Sequence, residues 1–126
     1  MNIDNPSEAQ EQTDLFRWAE LQSGAYPELK LLYHIPNGGS RPKIEAAKFK
    51  GQGVKSGVPD ICLPVARGEF HGLYIELKRR SGGRVSDTQR IWLSELQAQG
   101  YAVIVCRGWD CAREAIMEYL KLSGEI

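Results

Sequence analysis

The chain holds 126 residues, 42% of them apolar and 25% charged, which suits one globular domain and argues against a disordered tail or a collagen-like repeat. Its longest wholly apolar run, the six residues from Tyr101 to Cys106, is far short of the roughly 20 that cross a bilayer, and Met1 to Pro6 carries no basic-then-apolar leader, so a soluble cytoplasmic protein is expected. Sixteen basic and sixteen acidic residues cancel overall, yet between Arg41 and Arg90 eleven Lys/Arg meet five Asp/Glu, a local +6 that leaves −6 elsewhere.

A first helix is predicted after Pro6, with Ser7 as N-cap and Gln10 as its capping-box partner. Leu15, Phe16, Trp18, Ala19 and Leu21 give it a broad apolar side, and Gly24 with Pro27 ends it. Leu31 to Ile35 has strand length and is stopped by Pro36-Asn37-Gly38-Gly39, a turn cluster. A basic helix from Pro42 to about Lys50 follows, ended by Gly51. Two strands come next, Asp60 to Val65 and Leu73 to Lys78. Ser86-Asp87-Thr88-Gln89 is again a capping box and opens a helix through Trp92, Leu93 and Leu96 to Gly100. Tyr101 to Cys106, apolar on both faces, reads as the central strand of a sheet. Asp110 caps a last helix whose Ala112, Ala115, Ile116, Tyr119 and Leu120 form a core-facing stripe. This order predicts a mixed α/β layer in one domain spanning the chain. Cys62, Cys106 and Cys111 contain no CxxC pair and are odd in number, which fits reduced thiols in a reducing compartment.

The chemistry concentrates on the two middle strands. Alternation puts Asp60 opposite Ile61, Leu63 and Val65, and puts Glu76 and Lys78 opposite Leu73, Ile75 and Leu77. A hairpin through Arg67-Gly68 brings Asp60 and Glu76 to one side of the sheet, with Lys78 beside them. Two carboxylates so placed repel each other, and a divalent cation between them resolves the conflict. Oxygen ligands without His or Cys suit Mg²⁺ or Mn²⁺ rather than zinc. Lys78 then acts either as a base toward a water or, still charged, as a stabiliser of charge developing on a phosphate. Taken alone, an E-x-K is more often the solvated face of an amphipathic strand; the proline before Asp60, the apolar alternation and the flanking cations favour chemistry here.

Gly57-Val58-Pro59-Asp60, Tyr74-Ile75-Glu76-Leu77-Lys78-Arg79, and Ser86 with Gln89 ahead of Trp92 and Leu96-x-x-x-Gly100-Tyr101 resemble the VRR-Nuc group of PD-(D/E)XK nucleases. His34-Ile35-Pro36-Asn37-Gly38-Gly39 and Gly53-Val54-Lys55 extend the resemblance over nearly the whole chain. It implies a restriction-endonuclease-like α/β fold, a small mixed sheet flanked by helices in the order α-β-α-β-β-α-β-α. It also implies Mg²⁺- or Mn²⁺-dependent phosphodiester cleavage, with metal held by Asp60, Glu76 and the Leu77 backbone carbonyl and with Lys78 catalytic. A glutamate followed by a glutamine on the first helix belongs to the same pattern. Glu8 and Gln12 fit it by their four-residue spacing, Glu8 as a further metal-site acid. Glu11 is a rival, and the helix dipole alone would favour an acid at position 8. Gln89 has two readings as well, as the closing half of a capping box and, by the resemblance, as a neighbour of the site.

Arg41, Lys43, Lys48, Lys50 and Lys55 flank the second helix, and Arg79, Arg80 and Arg84 follow the catalytic strand. They are candidate phosphate contacts that position DNA without reading bases, although any single one of them is more often a solvated surface charge. Lys55 stands out because Gly53 and Gly57 permit close backbone approach. His34 reads as strand packing or a substrate contact, with Asn37 and Gln12 as companions; His71 falls in a loop, and Trp18, Trp92 and Trp109 suit core packing. Stand-alone, virus-encoded members of the group resemble resolvases of four-way (Holliday) junctions. By that likeness the substrate is branched DNA. The protein is then expected to be a homodimer, since one site makes one nick and resolution needs two symmetric ones. A silent nucleic-acid-binding module and a plain duplex nuclease are the alternatives.

Overall fold

Ser7 starts the first helix as expected: its hydroxyl accepts the Gln10 N–H at 3.1 Å. The Gln10 side chain turns instead to Asp14, so the reciprocal half of the capping box is missing. The computed structural model describes residues 4–36, 47, 48 and 50–123. Helix α1 covers Glu8–Gln22, and the residues it buries, Glu11, Leu15 and Ala19, recur every fourth position as one narrow stripe. A 3₁₀ turn, Pro27–Leu31, takes up part of the stretch expected to be a strand. Strand β1 is therefore only Tyr33–His34; Pro27 at the start of the turn favours the tighter winding. Of the second predicted helix, positions 47, 48, 50 and 51 are helical, and the rest lies outside the described residues.

Strand β2 spans Ile61–Leu63 and β3 spans Leu73–Lys78, joined by a connection that contains an Arg67–Phe70 bridge. Helix α2 follows over Asp87–Ala98, opened by a complete capping box between Ser86 and Gln89. Strand β4 covers Ala102–Arg107 and helix α3 covers Trp109–Leu120. The sheet order is β1-β2-β3-β4, antiparallel through β3 and parallel between β3 and β4.

Register decides which side chains meet. Ile61 pairs with Ile75 and Leu63 with Leu73, while Leu77 pairs with Cys106. These residues share one face and, with Leu15 and Ala19 of α1 and Ala112, Ile116 and Tyr119 of α3, make the hydrophobic core. The Tyr119 hydroxyl closes this layer by donating to the Val65 carbonyl at 2.6 Å. Helix α2 lies on the other face, against β4, and none of its residues is fully buried; Trp92 is half-buried there. Trp18 and Trp109 pack against the core margin.

Two expectations are corrected. Among the described residues the apolar strand β4 is an edge, not the centre, and its Ile104 and Val105 are each 37% exposed. Apolarity on both faces reports cover above and below, which α2 and α3 provide, and carries no information about neighbours in the plane of the sheet. Asp110 does not cap α3. The cap position is Gly108, at φ 88°, with no side-chain bond, and Asp110 sits in the first turn, 2.9 Å from the Arg80 guanidinium. The positive φ at Gly108 is what requires glycine there.

Candidate active site

Pairing between β2 and β3 begins at Ile61 and Ile75, so the two strands part just beyond. Pro59, fully buried, holds the chain at this fork. The Leu77 N–H projects into the gap, where no strand stands opposite among the described residues, and the Asp60 carboxylate accepts it at 3.0 Å. Because the N–H and C=O of one strand residue project to the same side, the Leu77 carbonyl faces the same gap.

Glu76 and Lys78 lie on the face opposite Leu77 and are 1% and 6% exposed. Burial of two charged groups is tolerable only where partners are supplied. Gln89, on the first turn of α2, supplies them. Its amide nitrogen donates to Glu76 Oε2 at 3.3 Å, and its oxygen accepts the Lys78 ammonium at 3.1 Å. The same oxygen accepts the Ser86 N–H at 2.9 Å, so the capping box and the site use one side chain at once. Lys78 Nζ is 3.8 Å from Glu76 Oε2. Gly57, at φ 88°, brings the segment before Asp60 against Thr88 of α2, where a Cβ would clash. Its close approach is therefore to protein, which corrects the ligand-directed reading of that glycine.

Burial is the main cause that pushes the Glu76 carboxyl up to about 9, followed by its contact with Asp60 and the charge of Asp60. The charge of Glu8 adds to the rise, and the Lys78 ammonium opposes it. Glu76 Oε1 is buried and, among the described residues, receives no hydrogen bond. A protonated acid beside a second carboxyl, with one orphaned oxygen, is a donor set that a divalent cation would satisfy. Asp60, Glu76 and the Leu77 carbonyl are the groups placed to hold it. Among the described residues no group of three or more His, Cys, Asp or Glu side chains is placed to hold a metal ion.

The two first-helix acids separate clearly. Glu8 is exposed but acts on Glu76 electrostatically. Glu11 is completely buried: Arg80 Nε lies 2.9 Å from its Oε2, and its Oε1 accepts the Trp109 N–H at 3.1 Å. Glu11 therefore ties α1, the end of β3 and the start of α3 together, and Arg80 spends its charge on Glu11 and Asp110 rather than facing solvent alone. Glu11→Ala leaves that guanidinium and helix start unpaired and should cost about 2–4 kcal/mol in urea unfolding. An unchanged midpoint would contradict this.

The remaining candidates scatter more widely. Lys48, Lys50, Lys55 and Arg84 are exposed. Arg79 is half-buried and donates to the Asn5 carbonyl. Arg41, Lys43 and Asn37 lie outside the described residues. His34 holds the Asp60 carbonyl through Nδ1 at 2.9 Å, and with Gln12 it lines a groove beside α1. Sequence reading missed Arg107, whose guanidinium donates to the carbonyls of Arg79, Gly82 and Gly83 and so pins the loop that follows β3. A cation ending a strand opposite a glycine pair was the available signal.

Comparison with known proteins adds identity to this geometry. The model of the VRR-NUC domain matches residues 6–110. No curated protein matches the chain. A solved structure described as a VRR-NUC domain protein is similar at 32% identity and a TM-score of 0.79, covering 94% of this chain and 91% of its own. The mixed sheet flanked by helices is thus shared with a member of the group that the sequence resembles, and the chain belongs to the VRR-NUC family of nuclease domains.

Proposed function

We propose that this nuclease domain is a Mg²⁺- or Mn²⁺-dependent endonuclease that hydrolyses DNA phosphodiesters, with four-way junctions as its substrate and a homodimer as its working form. The observation that carries the reading is the buried constellation of Asp60, Glu76 and Lys78 joined by Gln89. A divalent ion bound there would lower the pKa of a coordinated water and offset charge on the phosphate. The chain's own residues do the rest. Asp60 and Glu76 present oxygens at the fork, and Gln89 fixes the Lys78 ammonium in one position. Lys78 takes a proton from the attacking water or, remaining charged, faces the charge that grows on the phosphate. Glu8 adds negative charge next to Glu76 and so favours a cation. Lys48, Lys50, Lys55 and Arg84, exposed and without an ion-pair partner among the described residues, are suited to phosphates of the flanking strands.

No helix among the described residues is long and apolar enough to cross a membrane, and the three cysteines are free thiols, which supports work in a reducing compartment such as the cytoplasm. Two-fold pairing is suited by the outer edge of β4, to which no strand pairs among the described residues. Ile104 and Val105 face opposite sides of this edge, and no proline or charge precedes Arg107 to keep another strand away. A strand added antiparallel to its own copy is self-complementary about a two-fold axis. Val105→Lys is expected to sediment as a monomer and to nick junctions without resolving them; a variant that keeps the dimer mass excludes this edge as the interface.

Comparing initial rates on a labelled four-way junction and on linear duplexes of the same sequence, with Mg²⁺ and with Mn²⁺, tests the reading. Faster, symmetric cleavage of the junction is expected. Equal rates favour a general duplex nuclease, and binding with no cleavage at any metal concentration favours a silent binding module.

A further inference from the structure

The core stripe of α1, Glu11, Leu15 and Ala19, leaves the next stripe round the helix, Gln12, Thr13, Phe16, Arg17 and Glu20, facing the outer edge of β1. Together with His34 these residues line an open groove of about 490 Å³. We infer that this groove is a subsite for the DNA strand running away from the scissile phosphate, with Arg17 contacting the adjoining phosphodiester and His34 forming the wall next to it. The inference rests on the nuclease reading and deepens it by naming where one strand lies.

Three observations support it. The groove starts at the catalytic fork, because His34 in its wall is hydrogen-bonded to the carbonyl of Asp60, and Gln12 lies one helical turn from Glu8. A carbonyl only accepts, so His34 Nδ1 carries the proton in that bond. The ring is thereby held in one orientation, with Nε2 as its free polar atom. Arg17 is exposed and, among the described residues, has no hydrogen-bond or ion-pair partner, unlike Arg80 and Arg107, whose guanidinium groups are held by the fold. An unpaired planar fork of donors fits a phosphodiester better than a lysine does.

The groove also has a limit and a wall. Glu20 at its far end places a negative charge where a further phosphate would come, so the subsite suits a single phosphate and not a duplex backbone. Phe16, half-buried beside Arg17, offers an apolar surface to a sugar or an unstacked base, the kind of contact that strands at a branch point make available.

The test uses binding and cleavage of a labelled junction by the full chain. Arg17→Ala should weaken binding about tenfold and lower the slope of log affinity against log salt by about one. Lys121→Ala, at the end of α3 and paired with Glu118, serves as the charge control and should leave slope and affinity unchanged. Junctions carrying a neutral methylphosphonate at single positions on either side of the scissile phosphate locate the contact. One such position should weaken the wild type and have no further effect on Arg17→Ala. Equal losses in both proteins at every position, or an unchanged salt slope in Arg17→Ala, would overturn the inference. Binding can also be read on the Lys78→Ala background, where cleavage is not required, so failure of the subsite and failure of the nuclease reading give different results.

Discussion

Glu76→Ala should retain junction binding and lose cleavage by at least about a hundred- to a thousandfold, the scale seen when one preorganised electrostatic contact is removed from a reacting centre. The expectation follows from where the side chain sits. Glu76 is buried at the fork between β2 and β3, with one oxygen held by Gln89 and the other receiving no hydrogen bond among the described residues. Alanine removes an oxygen donor that no neighbour can replace, yet it touches none of the exposed cations. Lys78→Ala should have a comparable effect, and Lys78→Arg discriminates between the two roles open to the amine. Arginine stays charged at all accessible pH. Activity partly kept by Lys78→Arg identifies a charge stabiliser, whereas activity lost in both variants with folding intact identifies a base. Gel-shift affinity and single-turnover cleavage on the same samples give both readouts.

The second large effect is a linked dependence on pH and metal. Without a cation the Glu76 carboxyl is pushed up to about 9 from an ordinary 4.5, chiefly by burial and then by Asp60. The folded chain therefore holds a proton that the unfolded chain has released throughout that window. Stability is fully present below about pH 4.5 and declines as pH rises towards 9, by at most about 1.4 kcal/mol per unit from this group. A divalent ion takes the place of the proton. Mg²⁺ or Mn²⁺ should thus raise Tm, more at pH 8 than at pH 6, and binding should release protons. Thermal scans with and without metal across pH 5 to 9 check this. A Tm increment independent of pH, or no increment with either metal, contradicts the assignment of Glu76 as ligand.

Local patterns in the sequence made strands β2 and β3 legible. Alternation in Leu73 to Lys78 put Glu76 and Lys78 on one face, and the strand occupies those six residues. The Ser86–Gln89 capping box likewise appears complete. What the pattern does not carry is long-range pairing. Nothing within α1 distinguishes Glu8 from Glu11; Arg80, 69 residues further on, does so by burying Glu11 in an ion pair. The edge position of β4 was hidden for a related reason, because in-plane neighbours are set by strand order rather than by the apolarity of the strand itself. Asp110 resembled a cap, but the cap position falls two residues earlier, at Gly108, and the Asp110 carboxylate pairs with Arg80.

Anomalous diffraction from crystals soaked in Mn²⁺ shows whether Asp60 and Glu76 share a bound ion. One strong peak is expected at the fork, within bonding distance of Asp60 and Glu76 oxygens and of the Leu77 carbonyl, and absent from Glu76→Ala crystals. A peak elsewhere, or none at a fork whose wild-type protein cleaves DNA under the same conditions, would contradict that shared site.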